Sequence, residues 1–308
     1  MDQLTSVEPA ARAATRRDWI VPPQRVAEIL SHPHIGEAAQ AAAALLTEEY
    51  RANRLMNRVF NDRGHFVIAM FAQYLHHFPI DDDSDAGLTA GRLRALCLET
   101  GICSAGRASA TLNIMRFAGY LRVAADTADR RRTVLVPTEK LTALRRERWA
   151  RHLRAMALVM PEARQALALW DRPWFDAAFL REIVEGYRKG FRFIAHVPRL
   201  ETYFEQQGGT ITLMQLIAAS GGPSRGVAPL TISDLSSRFW VSRAQVRQVL
   251  TCAAADGLID RAPGSRDPIA VLPALHDEMN RFFAASFVYC AQCIRAAISG
   301  APAGDALA

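Results

Sequence analysis

Lysine is nearly missing from this chain: of 37 basic residues only Lys140 and Lys189 are lysine, and the other 35 are arginine. A genomic base bias produces the same excess, so the position of the charge carries more than its total. Cysteine is also scarce, five in 308 residues. That odd number excludes a disulfide-stapled scaffold and fits reduced thiols in a reducing compartment. No uninterrupted apolar stretch approaches the ~20 residues of a membrane-spanning helix, the longest lying near Ile211 to Ser220 (ITLMQLIAAS). The N-terminus lacks an apolar leader segment, so a cytoplasmic chain with no membrane partner is expected. A Gly-rich phosphate loop, a nucleophile elbow, paired catalytic carboxylates and a cofactor fingerprint are all missing. Eight histidines form no HExxH-like arrangement, and Cys290-Ala-Gln-Cys293 is a lone CxxC inside a helical apolar pattern. The expectation is a protein without enzymatic activity, cofactor or metal.

What is present is an ordinary globular composition, 50% hydrophobic and 22% charged, with length for about two domains at roughly 100–200 residues each. Its charge is unevenly placed. Between Arg107 and Arg154 twelve basic residues face Asp126, Asp129, Glu139 and Glu147, a net +8 that leaves −2 for the rest of a chain of +6. A concentrated patch of this kind is the footprint expected for a polyanion partner, because guanidinium groups fork onto phosphates and release counterions. The plain alternative is a solvated arginine-rich helix face.

Residues 1–23 lack sustained periodicity, end in Pro22-Pro23 and read as a mobile tail. A long helix is expected from Glu37 to Phe60, with Leu45, Ala52, Leu55, Met56 and Val59 on one face. A second follows from His65 to Phe78, and a short one from Leu88-Thr89 through Leu98. Ser104 occupies an N-cap position ahead of a helix that Gly119 closes. Two short β-prone segments around a charged loop then form a two-stranded wing, and a helix from about Thr138 to Val159 ends at Pro161.

The same order recurs about 140 residues later. Phe60 to Gly64 returns as Phe204 to Gly208, Leu88-Thr89 as Leu230-Thr231, and Ser104 with Gly119 as Ser242 with Gly257. Helices at Phe179 to Phe193 and Leu275 to Ile298 match those flanking the first unit. The chain is therefore divided into a first unit at 24–160, a second at 161–300 and a flexible end at 301–308. The expected fold is mainly α, two winged helix-turn-helix domains joined by long packing helices.

The run from Ile232 to Ile259 is the most specific signal. Leu235, Val241, Val246, Leu250, Leu258 and Ile259 build a small core, while Ser242 caps the second helix so that its N-terminus can face a phosphate. Arg243, Gln245, Arg247, Gln248 and Thr251 remain outward, suited to base edges and phosphates of a major groove. In the first unit the equivalent positions are Ser104, Arg107, Ser109, Asn113 and Arg116.

The first wing, Asp126-Thr-Ala-Asp129-Arg130-Arg131-Arg132 followed by Thr-Val-Leu-Val-Pro-Thr-Glu, resembles that of the MarR family, with its Asp-x-Arg core, strand and turn into the next helix. The resemblance covers roughly residues 37–160. It implies that Arg130 or Arg132 reaches a DNA minor groove with Asp129 orienting the guanidinium, and Arg131 completes the basic tip. The second wing departs from this pattern, being short with one tip arginine, Arg266. MarR-type chains are normally single units that dimerise, so this chain resembles a fused pseudo-dimer, acting alone or as a homodimer.

Two further sites are candidates. Trp170, Arg172 and Trp174, between the units, could line a ligand pocket for a small-molecule effector. Cys97 and Cys103 flank the first turn and are candidate redox sensors, with buried core cysteines as the alternative. The functional expectation is a transcriptional regulator, a repressor, bound to double-stranded DNA. A plasmid-type replication initiator and a winged-helix interaction scaffold are the rivals.

Overall fold

In the computed structural model residues 21–52, 63–78, 87–125, 133–222, 226–261 and 268–302 are described. They form a mainly helical chain with two small antiparallel sheets. The first half contains α1 (Pro23–Leu30), α2 (Ile35–Ala52), α3 (Arg63–His77), α4 (Ala90–Glu99), α5 (Ala105–Phe117), β1 (Leu121–Val123), β2 (Leu135–Pro137) and α6 (Glu139–Met156). The second contains α7 (Pro161–Ala168), α8 (Pro173–Arg188), α9 (Glu201–Glu205), α10 (Gly209–Ala219), β3 (Val227–Ala228), α11 (Ile232–Phe239), α12 (Arg243–Ala255), β4 (Ile259–Asp260), β5 (Ile269–Val271) and α13 (Pro273–Ser299).

Local chemistry sets the boundaries. The Thr89 hydroxyl accepts from Arg92 N, and Thr231 forms a capping box with Asp234, so α4 and α11 start where their orphan N–H groups find an acceptor. Gly119 and Gly257, at φ of +73° and +66°, close α5 and α12 in the left-handed region. Pro161, expected to end a helix, instead opens α7, because the first turn loses nothing when an N–H is absent. The helix expected at 179–193 lies earlier, at Pro173–Arg188. The helix expected to reach Phe60 is described to Ala52, and Leu55, Met56 and Val59 lie outside the described residues. In the second sheet β5 pairs with both β3 and β4, a third strand not expected from the sequence. Its counterpart in the first half is a single bridge, Leu88 to Leu135.

The two halves share one continuous core. Helix α10 of the second half packs on α2 of the first, and reciprocally α3 of the first packs on α8 of the second. Within each half the pairings α2 with α6 and α8 with α13 also correspond. Reciprocal contacts between matched elements are the signature of a two-fold related pair.

Helix α13 is the one helix among the described residues that is long and apolar enough, by length and composition, to cross a membrane. Its packing accounts for that apolarity. It touches α1, α2, α7, α8 and α10, and 72% of its most apolar stretch is buried. The closest approach is at Gly186 of α8: a Cβ there would lie 1.9 Å from the Tyr289 hydroxyl, which donates to Ile183 O at 2.7 Å while its ring stacks on Phe191. Gly186→Ala is expected to cost about 3 kcal/mol, the upper range for overpacking. A urea-unfolding midpoint equal to that of the parent chain would show that α8 and α13 separate freely.

Candidate nucleic-acid interface

Helix α12 is positioned by its own N-terminus. Ser242 accepts from Gln245 N, and the Gln245 amide oxygen accepts from Ser242 N, each at 3.1 Å. The turn before it places Trp240 in the left-handed region at φ +55°, and Ser236 clamps the loop by donating to Val241 O at 2.8 Å. Val246, Val249, Leu250 and Ala253 face the core. Arg243, Arg247, Gln248 and Thr251 face solvent, and the helix carries no acidic residue. Arg243 reaches back to Ser233 Oγ at 3.1 Å, and Gln248 Nε2 lies 3.4 Å from Cys252 Sγ; both bonds are exposed.

Gln245 is the exception among the residues expected to read bases. Besides closing the capping box, its amide nitrogen donates to Gln207 Oε1 at 2.7 Å, so both ends of the side chain are occupied within the protein. It positions the helix, and Gln207 ties the helix to the turn before α10. Sequence reasoning passed over Gln207, whose only signal was its place in the repeated Phe204 to Gly208 turn.

Helix α5 presents a different surface. Ser104 caps it by accepting from Arg107 N at 3.3 Å, and Ser109 Oγ donates to Ala105 O at 3.0 Å, spending its hydroxyl on its own helix. Asn113 and Arg116 are exposed, alongside Ile114 and Phe117, the latter 89% exposed. Arg107 lines a cleft with Arg192, Glu201 and Glu205. Asp129, Arg130, Arg131, Arg132 and Arg266 lie outside the described residues.

The charge read as one polyanion footprint is divided. Six of its twelve cations sit on α6, and each meets a partner within the protein. Arg145 is buried and paired in two-pronged fashion with Asp176 at 2.6 and 2.8 Å, its Nε donating to Gln73 at 2.9 Å. Arg146 bonds Trp170 O and Asp171, Arg148 lies over the Phe66 ring, and Arg151 and Arg154 meet Glu147. Lys140 donates to Ala118 O at 3.0 Å and sits over Tyr120. Of the described cations in that segment, Arg116 and Arg122 remain as outward charge beside the cleft residue Arg107, with the exposed Lys140 and Arg154 of α6.

The aromatic residues expected to line a ligand pocket are engaged in packing. Trp170 and Trp174 are packed edge-on against Phe175, and Trp170 also against Phe179, while Arg172 is exposed at the start of α8. None of the three lines the cleft at Arg107 or the cavity at His152 and Ser286. The thiols of Cys97 and Cys103 are hydrogen-bonded to each other, and burial pushes both upward, Cys97 strongly. They stay protonated, the opposite of the low-pKa thiolate that a redox sensor uses. Cys290 and Cys293 are buried and likewise raised by desolvation. Among the described residues no group of three His, Cys, Asp or Glu is placed to hold a metal.

No protein-family model, curated protein or solved structure matches the chain. The resemblance to MarR-type wings rests on the residues quoted for it.

Proposed function

We propose that the two helix-turn-helix segments with their hairpins are winged helix-turn-helix units of a MarR-like regulator that binds double-stranded DNA sequence-specifically, as an intramolecular pseudo-dimer without enzymatic activity. The observation that carries this reading is the outward face of α12, where Arg243, Arg247, Gln248 and Thr251 stand together on a Ser242-capped helix with no acid. Such a face suits phosphates at the helix N-terminus and guanine or adenine edges in a major groove. Direct readout falls to Arg247 and Gln248, with Gln245 holding the helix in place. The first half contributes less specificity, since α5 offers Asn113 and Arg116 beside exposed Ile114 and Phe117.

Selection from a random duplex library at two salt concentrations tests this. The expected motif is split and unequal, with one strong half-site. Arg243→Ala, at the helix N-terminus, is expected to weaken binding to all retained sequences and to lower the salt slope by about 1. Gln248→Ala is expected to relax preference at one base pair, a discrimination of about 1–3 kcal/mol. Absence of binding at low salt would overturn the reading. The exposed Phe117 and Ile114 favour a second one, an interaction scaffold that meets protein through α5. A Phe117→Ser variant with unchanged DNA binding and lost partner binding would separate the two surfaces.

A further inference from the structure

The halves can be matched residue by residue around one cavity. From β2 into α6 and from β5 into α13 the register is constant at 134 residues, since Leu135 matches Ile269 and Glu139 matches Pro273. The repeated glycines Gly64 and Gly208 set a register of 144 for α3 and α10. With these registers, twelve lining residues of a cavity of about 130 Å³ form six pairs. Val67 matches Ile211, Met70 matches Met214, and His152 matches Ser286. A residue that touches its own counterpart must lie beside the axis relating the two halves, and the His152 ring is 3.0 Å from Ser286 Oγ. The cavity therefore straddles the pseudo-two-fold axis, and the chain has one of it.

Its chemistry is lopsided. Phe66, Trp149, Phe204, Phe282 and Phe283 bring aromatic rings to a lining completed by Leu46, Val67, Met70, Ile211 and Met214. The polar groups are largely spent: His152 and Ser286 on each other, the Arg148 guanidinium 4.4 Å over the Phe66 ring, and the Thr210 hydroxyl on Tyr203 O. The Gln206 amide oxygen is different, a buried acceptor at this wall with no donor in reach. An unmatched buried acceptor costs free energy that a ligand donor recovers. In volume the space compares with engineered cavities of ~150 Å³ that bind benzene.

We infer that this axial cavity is a binding site for one uncharged aromatic molecule of one or two fused rings carrying a single N–H or O–H donor, which the Gln206 amide oxygen accepts while the rings of both halves enclose the apolar body. Such a ligand touches α3, α6, α10 and α13 together and so bridges the halves. The site stands on its own lining, whatever α12 binds.

Indole and indene, alike in shape and differing in the N–H, are the probes, and calorimetry on the full chain without DNA is the measurement. Indole is expected to bind one per chain and to raise the melting temperature, with indene at least tenfold weaker, because a site built to pair a donor rejects the analogue lacking it. Gln206→Leu, on the cavity wall, is expected to erase that difference while keeping indene binding. Met214→Trp, which fills the space, is expected to lose both ligands, and far-ultraviolet dichroism of each variant checks that it is folded. Absence of indole binding at millimolar concentration, two equivalents per chain, or discrimination that survives Gln206→Leu would overturn the proposal.

Discussion

Asp176→Ala is expected to destabilise the chain by about 3–5 kcal/mol, the cost of leaving one member of a buried ion pair alone. Arg145 is 2% exposed and lies between α6 and α8, its guanidinium held by both carboxylate oxygens of Asp176 and by Gln73. Removing the carboxylate strands a cation that cannot turn to water without opening the core between the halves. The pair contributes little net stability, however, because burying both charges already cost desolvation. A triple variant, Gln73→Leu, Arg145→Met and Asp176→Leu, is therefore expected to recover most of the loss. Urea titrations of the parent, single and triple variants measure both effects. A single variant within 1 kcal/mol of the parent would mean that water reaches Arg145, and a triple variant as weak as the single one would mean that the pair is worth its burial.

Acid is expected to weaken the fold through His152. Burial first, and the nearby Arg148 charge second, push its pKa down to about 3, against about 6.5 in an unfolded chain. The folded state therefore binds no proton there across the interval in which the unfolded state does. Its contribution is complete above pH 6.5 and is lost as pH falls toward 3, at about 1.4 kcal/mol per pH unit, or roughly 2 kcal/mol by pH 5. His65, His76, His77 and His276 are shifted in the same direction, chiefly by burial, so the parent's total slope is steeper. His152→Gln keeps a hydrogen-bonding partner for Ser286 and does not titrate. Its stability is expected to fall less steeply than the parent's between pH 7 and pH 5, and parallel curves would remove His152 from the account.

The features legible in the sequence are those written locally. Ser104 and Ser242 cap helices where their spacing to the next apolar run says they do, and Gly119 and Gly257 end them, whereas the caps at Thr89 and Thr231 emerge only in the structure. The hairpin at β1 and β2 and the order of helices follow from changes of period along the chain. Side-chain use was not legible, because it is settled by partners far away. Gln245 and Arg247 read alike as outward polar residues, yet Gln207, 38 positions earlier, takes the amide of the first. The arginines of α6 read as a charged face, and α2, the turn after α7 and α8 absorb several of them through Leu45 O, Trp170 O and Asp176. Trp170 and Trp174 carried an aromatic signal that packing against Phe175 satisfies. Of the two registers that define the axial cavity, 144 is legible in the repeated turn at Gly64 and Gly208, whereas 134 becomes visible only when the starts of α6 and α13 are known.

The contact between His152 and Ser286 bears on how such a chain can change over generations. In a symmetric dimer each residue at the axis meets its own copy, so imidazole would face imidazole and hydroxyl would face hydroxyl. Within one polypeptide the two positions are free to differ, and here they are complementary, as Phe66 and Thr210 are unlike across the same cavity. Either half paired with itself would meet the wrong neighbour at the axis, so the covalent joining of two unlike halves is itself a condition of this packing.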